Sequence, residues 1–239
     1  MSWKHHIPNA ITSMNLLCGV LGVIAALEGR FDWAFYLMLA GAVFDFCDGL
    51  AARALKVVSS TGKELDSLSD VVTFGVLPSV MLYELMRVCT FSNSIWCYVP
   101  LLIAVFSALR LAKFNLDERQ HSSFLGLPTP ASAMICGSLC YFIAHDMQTF
   151  LATWASGFVF IPLLALVLCV LLVCEVPMFS MKFSREDDSL VKRKRILFAV
   201  NVLLVVAIVV SLHLNWSLII LLVFLVYILM NLGLALFRA

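Results

Sequence analysis

The sequence predicts an all-α integral membrane protein, a short N-terminal interfacial helix followed by about eight transmembrane helices. Three observations carry that expectation. Of the 239 residues, 62% are hydrophobic and only 13% charged, with a mean hydropathy of +1.01, whereas soluble domains carry about 25% charged residues. The apolar residues fall in runs near the roughly 20 residues a bilayer crossing needs. The cations gather on alternate connections between those runs, as the positive-inside rule requires of a polytopic chain. Little length is left for a separate soluble domain, and a net charge of +1 excludes a basic nucleic-acid binder.

Residues 1–10, with Trp3, Lys4, His5 and His6 before Pro8, read as an amphipathic stretch on the membrane surface, retained because no small-residue cleavage site ends the following apolar run. His5 and His6 read as interfacial polar residues rather than metal ligands. Spans are expected at 11–28, 33–54, 65–86, 95–114, 127–145, 157–178, 196–213 and 216–236. The last two need an argument, since Ile196–Phe237 contains no Asp, Glu, Lys or Arg. As one helix it would extend roughly 63 Å, about twice the hydrocarbon thickness, so it must fold back, and His213, Asn215 and Trp216 mark the turn. Asn201 and Asn231 are candidate interhelical hydrogen-bond partners in that hairpin.

An even number of spans puts both termini on one side. That side collects Lys4, Arg53, Lys56, Lys63, Arg110, Lys113, Arg119, Lys182, Arg185, Lys192, Arg193, Lys194, Arg195 and Arg238, fourteen of sixteen cations, against Arg30 and Arg87. The expected orientation therefore places both termini in the cytoplasm, with the chain in the cell inner membrane. The 181–195 loop is the one highly charged connection; its Lys192–Arg195 run fixes topology or touches anionic membrane lipids. Six of the eight cysteines lie in apolar runs, where a thiol behaves as a small hydrophobe. Cys89 and Cys97 flank a polar connection, but a disulfide between them is the less favoured reading, and no spacing suggests zinc.

Charge inside spans is expensive and marks function. Asp45 and Asp48 stand at i and i+3 near the end of the second span, Asp66 and Asp70 at i and i+4 near the start of the third, so each pair shares one helix face. Two helices joined by Leu55–Lys63 can turn these faces toward each other. The repulsion among four carboxylates calls for divalent metal, and hard oxygen ligands point to Mg²⁺ or Mn²⁺. Gly49, Ala52 and Arg53 follow Asp45 on the same face and Gly62 lies near the end of the loop, which together open a slot beside the acids for a phosphate-bearing ligand. Close helix packing is the competing explanation for the small residues. Glu84, Asp146 and Asp32 lie near the outer ends and read as interfacial.

The run Asp45-Phe-Cys-Asp48-Gly49-Leu-Ala-Ala52-Arg53, followed after eight residues by Gly62-Lys-Glu-Leu-Asp66-Ser-Leu-Ser-Asp70, resembles the complete signature of the CDP-alcohol phosphatidyltransferases. The resemblance implies a six-helix core, assigned to 1–180, with the basic loop 181–195 and an added C-terminal hairpin, 196–239. It implies two metals, Mg²⁺ or Mn²⁺, on Asp45, Asp48, Asp66 and Asp70. It places substrate against Asp48, Gly49, Ala52, Arg53 and Gly62, and makes Asp70 the base that deprotonates the acceptor hydroxyl. A homodimer is a further implication. The segments Ile7–Gly19, Ser67–Pro78, Ala108–Asn115 and Phe124–Ala131 are similar to those of the phosphatidylserine synthase branch. That likeness implies CDP-diacylglycerol and L-serine as substrates, with Arg110 and Lys113 one turn apart to meet an anionic group. Another acceptor, glycerol 3-phosphate or inositol phosphate, is the near alternative, and a cation transporter using the acids as an ion site the distant one.

Overall fold

A computed structural model describes residues 6–57, 59–90, 94–116, 124–155, 159–178 and 189–236. These form nine helices: α1 (His6–Leu27), α2 (Phe31–Leu55), α3 (Ser60–Thr90), α4 (Ile95–Leu116), α5 (Thr129–His145), α6 (Phe150–Ala155), α7 (Phe160–Val173), α8 (Ser189–Ser211) and α9 (Ser217–Leu236). The only other pairing among the described residues is a two-residue antiparallel ladder, Phe124–Leu125 against Pro177–Met178. The chain is an all-helical integral membrane protein. The first four helices are each long and apolar enough to cross a bilayer, and Phe160–Val173, Ile196–Ser211 and Ser217–Gly233 are shorter apolar helices.

Each of the eight expected spans holds a helix, with informative differences at the ends. Residues 6–10 do not form a separate surface helix but run unbroken into α1. Pro8 allows this because it falls in the first turn, where an N–H has no intrahelical acceptor to lose. Residues 1–5 and 181–188 lie outside the described residues, whereas 189–195, expected in the basic loop, form the first two turns of α8 because the helix begins at Ser189. The α2–α3 connection is shorter than Leu55–Lys63. Lys56 closes α2 in the left-handed conformation at φ 53°, donating to the Ala52 and Arg53 carbonyls. Ser59 already caps α3 by accepting the Gly62 N–H at 3.3 Å.

Within α3 a π-helical turn, Val71–Val76, separates the α-helical Ser60–Asp70 from Leu77–Thr90. Such turns insert one extra residue and recur at functional sites. This one is wedged between α1 and α2: a Cβ at Gly19 would lie 2.5 Å from Thr73 Oγ1, and one at Gly41 2.6 Å from Thr73 Cγ2. Glycine is required at both by the closeness of approach. Helix α5 is buried almost all round, as a central helix must be, and α2, α3 and α9 pack on it.

The final hairpin turns where expected, at residues 212–216, with His213 at φ 50°. Asn215 Nδ2 donates to Asp146 Oδ2 at 2.8 Å, and the Trp216 ring stacks on Phe35 and Tyr36 at 5.7 and 6.4 Å between centroids, which pins the turn to the bundle. Asn201 and Asn231 donate to carbonyls of their own helices, Leu197 O and Tyr227 O, one turn back. Glu84 is buried and paired with Arg87 at 3.0 Å. All eight cysteines are free thiols.

Candidate functional site

The acids converge, but not because α2 and α3 lie against each other. Helix α1 packs along both, and most of the contact between the two acid-bearing helices runs through it. One carboxylate oxygen from each of Asp45, Asp48 and Asp66 lies within 4.8 Å of the others. Asp70 stands one turn further along α3, within electrostatic reach of Asp45 and Asp66, with Oδ1 accepting from Asn15 Nδ2 at 3.4 Å. Three of the four predicted ligands thus form one cluster and the fourth flanks it.

This donor set fits a divalent cation. Asp66 Oδ1 is buried without a hydrogen-bond partner, and an ionised carboxylate oxygen, which can only accept, is costly to bury unless a cation or donor meets it. A cluster made wholly of carboxylate oxygens suits a hard ion.

Side chains of α1 reach the acids that α2 and α3 carry. Thr12 donates to Asp48 Oδ2 at 2.6 Å. Behind these contacts, Ser69 Oγ donates to the Thr12 carbonyl at 3.2 Å and Thr73 Oγ1 to the Asn15 carbonyl at 3.1 Å. The sequence marks Thr12, Asn15, Ser69 and Thr73 only as members of the Ile7–Gly19 and Ser67–Pro78 segments and assigns them no contact with the acids. The available signal was the spacing of small polar residues along otherwise apolar runs.

Two cavities flank the cluster. The larger, about 500 Å³, lies between α1, the end of α2 and the start of α3. Gly49, Ala52, Arg53 and Gly62 all line it, with Asp48 and Asp66 in its wall. Asn9, from the Ile7–Gly19 segment, also lines it, as do Lys56, Ser59 and Lys63, for which the sequence pattern indicates no place in the site. A Cβ built on Gly49 meets only Arg53 Nη2, at 4.0 Å, so this glycine faces open space rather than a neighbouring helix.

The smaller cavity, about 290 Å³, is lined by Asp70, Ser67, Arg110, Asn115 and Thr129. Lys63 and Asp66 border both cavities. Arg110 is only 7% exposed. Its Nη1 donates to Thr129 Oγ1 at 3.3 Å, its Nε has no hydrogen-bond partner, and its guanidinium carbon lies 5.9 Å from the Phe114 ring centroid. A buried guanidinium with an idle N–H beside a cavity is a seat for an anion. Lys113 is exposed and lines neither cavity, so the structure does not bring the two basic residues together.

Fold and site together define a polytopic helical membrane protein with a cluster of carboxylates between two cavities. The chain belongs to the CDP-alcohol phosphatidyltransferase family, whose profile matches residues 5–173. This is a family of transferases that generally depends on divalent metal. Among its relatives, the CDP-diacylglycerol–serine O-phosphatidyltransferase of Bacillus subtilis is 38% identical over 130 residues, 54% of this chain and 72% of its own. The enzyme of that name from Mycobacterium tuberculosis is 36% identical over 185 residues, 73% of this chain and 61% of its own. The one from Methanocaldococcus jannaschii is 34% identical over 137 residues, 57% and 61% respectively. The chain thus spans less than two thirds of the length of the last two.

Proposed function

We propose that the protein is a phosphatidylserine synthase that transfers the phosphatidyl group of CDP-diacylglycerol to the hydroxyl of L-serine and releases CMP. The observation that carries this reading is the placement of Asp66 in the walls of both cavities, with Asp70 and the buried Arg110 in the smaller one. A group transfer needs two substrates meeting at one boundary, and an ion site does not. The names of the relatives support the choice of serine.

Asp45, Asp48, Asp66 and Asp70 would hold two Mg²⁺ or Mn²⁺ ions, which when bound neutralise the pyrophosphate and the departing CMP oxygen. The chain's own groups do the rest. Gly49 and Ala52 leave room for the diphosphate, and Arg53 offers it a guanidinium. In the smaller cavity Arg110 holds the serine carboxylate, which points the hydroxyl toward Asp70. Asp70 takes the hydroxyl proton as the serine oxygen bonds to the β-phosphorus; the bond from that phosphorus to the bridging oxygen breaks, and CMP leaves with the electron pair. Exposed Lys113 keeps a topological role.

The reading extends to the whole chain: residues 1–180 form the catalytic core, 181–195 a basic connection whose last residues, from Ser189, already belong to α8, and 196–239 a hairpin added to the core. The fourteen-to-two partition of cations supports a cytoplasmic site and termini in the inner membrane. Family resemblance supports a homodimer.

The test offers purified protein CDP-diacylglycerol with L-serine, glycerol 3-phosphate, inositol phosphate or water, and identifies the lipid formed. Phosphatidylserine, made with CMP release only when divalent metal is present, is expected. A phosphatidyl product from another acceptor alone overturns the assignment of serine, and no CMP release with any of them overturns the enzyme reading.

A further inference from the structure

We propose that Thr12 and Asn15 of α1 are positioning residues that set the orientation of Asp48 and Asp70 toward metal, so that the first helix, which contributes no acid to the cluster, controls its affinity. The inference rests on the metal reading given above and concerns residues outside the Asp45–Asp70 signature run.

The geometry repeats itself one turn apart. Thr12 and Asn15 stand at i and i+3 on one face of α1, and each sends a side-chain donor to a different acid, Thr12 Oγ1 to Asp48 Oδ2 at 2.6 Å and Asn15 Nδ2 to Asp70 Oδ1 at 3.4 Å. Each is locked from behind through its own carbonyl, by Ser69 and Thr73, which stand four residues apart on α3. A helix interior carbonyl already accepts one backbone N–H, so a second donor from another helix fixes the relative height of the two helices. Both residues are buried, Thr12 at 3% and Asn15 at 0% exposure, so neither bond competes with water.

Each contact engages one named oxygen of its carboxylate, Asp48 Oδ2 or Asp70 Oδ1, and so fixes the angle of that group. That is how outer ligand-holding groups tune a metal site, by fixing the angle of the ligand rather than touching the ion. The Thr12 hydroxyl has one proton and two acceptors in range, Asp48 Oδ2 at 2.6 Å and the Pro8 carbonyl at 3.0 Å. The shorter bond goes to the ionised group, as charge-assisted hydrogen bonds do. Asn15 Oδ1 lies close against Gly41, where a Cβ would stand only 2.9 Å from it, so the seat of this amide depends on glycine at that position. Helix α1 is suited to this task because it packs along both acid-bearing helices and therefore sets the distance between them.

The test measures Mn²⁺ binding to the full chain in detergent by electron paramagnetic resonance, without substrate, alongside thermal unfolding. Thr12→Val removes the donor at nearly constant shape. It is expected to raise the Mn²⁺ Kd roughly tenfold while the unfolding midpoint moves little, and Thr12→Ser should restore affinity to within about twofold. Asn15→Leu should weaken binding comparably through Asp70. In turnover, both variants should recover toward wild type as Mn²⁺ is raised, which a misfolded site would not do. Because the two variants act on different acids, either one that folds decides the matter. Unchanged Mn²⁺ affinity in a folded variant overturns this proposal and leaves the metal reading standing. A wild-type protein that binds no Mn²⁺ overturns both.

Discussion

Gly49 separates two readings of the small residues beside the acids, one in which they let helices pack and one in which they make room for a ligand. In the structure a methyl group at Gly49 would meet nothing of the protein closer than Arg53 Nη2 at 4.0 Å. Gly49→Ala should therefore stabilise α2 by about 0.5–1 kcal/mol, since a helix-interior glycine carries a conformational entropy cost that alanine does not. For a chain of this size that is an increase in Tm of about 1–4 °C. The same methyl projects into the larger cavity, where overlap with a bound diphosphate should cost about 1–3 kcal/mol, a five- to 150-fold rise in Kd. The assay is CDP or CMP binding by calorimetry with a parallel unfolding scan in detergent. Gly41→Ala is the control for packing, because its Cβ would stand 2.6 Å from Thr73 Cγ2 and 2.9 Å from Asn15 Oδ1 and should lower Tm. A Gly49→Ala protein with lowered Tm and undiminished nucleotide affinity would refute the ligand-slot argument.

Asp66→Asn should abolish turnover while membrane insertion is unaffected, because Asp66 belongs to the acid cluster and borders both cavities; near wild-type turnover at saturating Mg²⁺ or Mn²⁺ would exclude it as a ligand. Arg110→Gln should lower kcat/KM for serine about ten- to a hundred-fold, the equivalent of a charge-assisted bond of about 1.5–3 kcal/mol, with CDP-diacylglycerol dependence little changed. Loss confined to CDP-diacylglycerol affinity would reassign Arg110 to the lipid phosphate. Lys113→Gln, altering an exposed residue outside both cavities, should leave both dependences within about twofold, in the range of ordinary surface changes. A single cysteine placed in the 184–189 segment should react with impermeant reagent only from the cytoplasmic face; labelling from outside would reverse the cation-partition argument.

Much of this protein is set by local chemistry and so is legible along the chain. Apolar run length dictates where helices form, because a backbone in lipid must satisfy its hydrogen bonds internally. The absence of charge from Ile196 to Phe237 forces a hairpin, and the structure turns it at the one polar cluster available, His213 to Trp216. Helical periodicity likewise puts Asp45 with Asp48 and Asp66 with Asp70 on common faces, and Gly49, Ala52 and Arg53 on the face of Asp45.

What periodicity cannot supply is which third element stands between two faces. The role of α1 depends on packing of Gly19 and Gly41 against Thr73 and on hydroxyl-to-carbonyl contacts spanning 57 and 58 residues of sequence, and no local pattern encodes their partners. The π turn that follows Asp70 is equally invisible to a 3.6-residue repeat, since it is an insertion in register seen only against neighbouring helices. The same limit explains Arg110 and Lys113. Three residues apart at 100° each, they differ by about 60° around the axis, and whether that separation leaves both in a cavity depends on where the Phe124–Thr129 segment packs. Tertiary packing buries Arg110 against Thr129 and leaves Lys113 exposed. Sequence determined the helices and the acid faces because both follow from nearest-neighbour geometry; the division of the site into two cavities was decided by contacts between residues far apart in the chain.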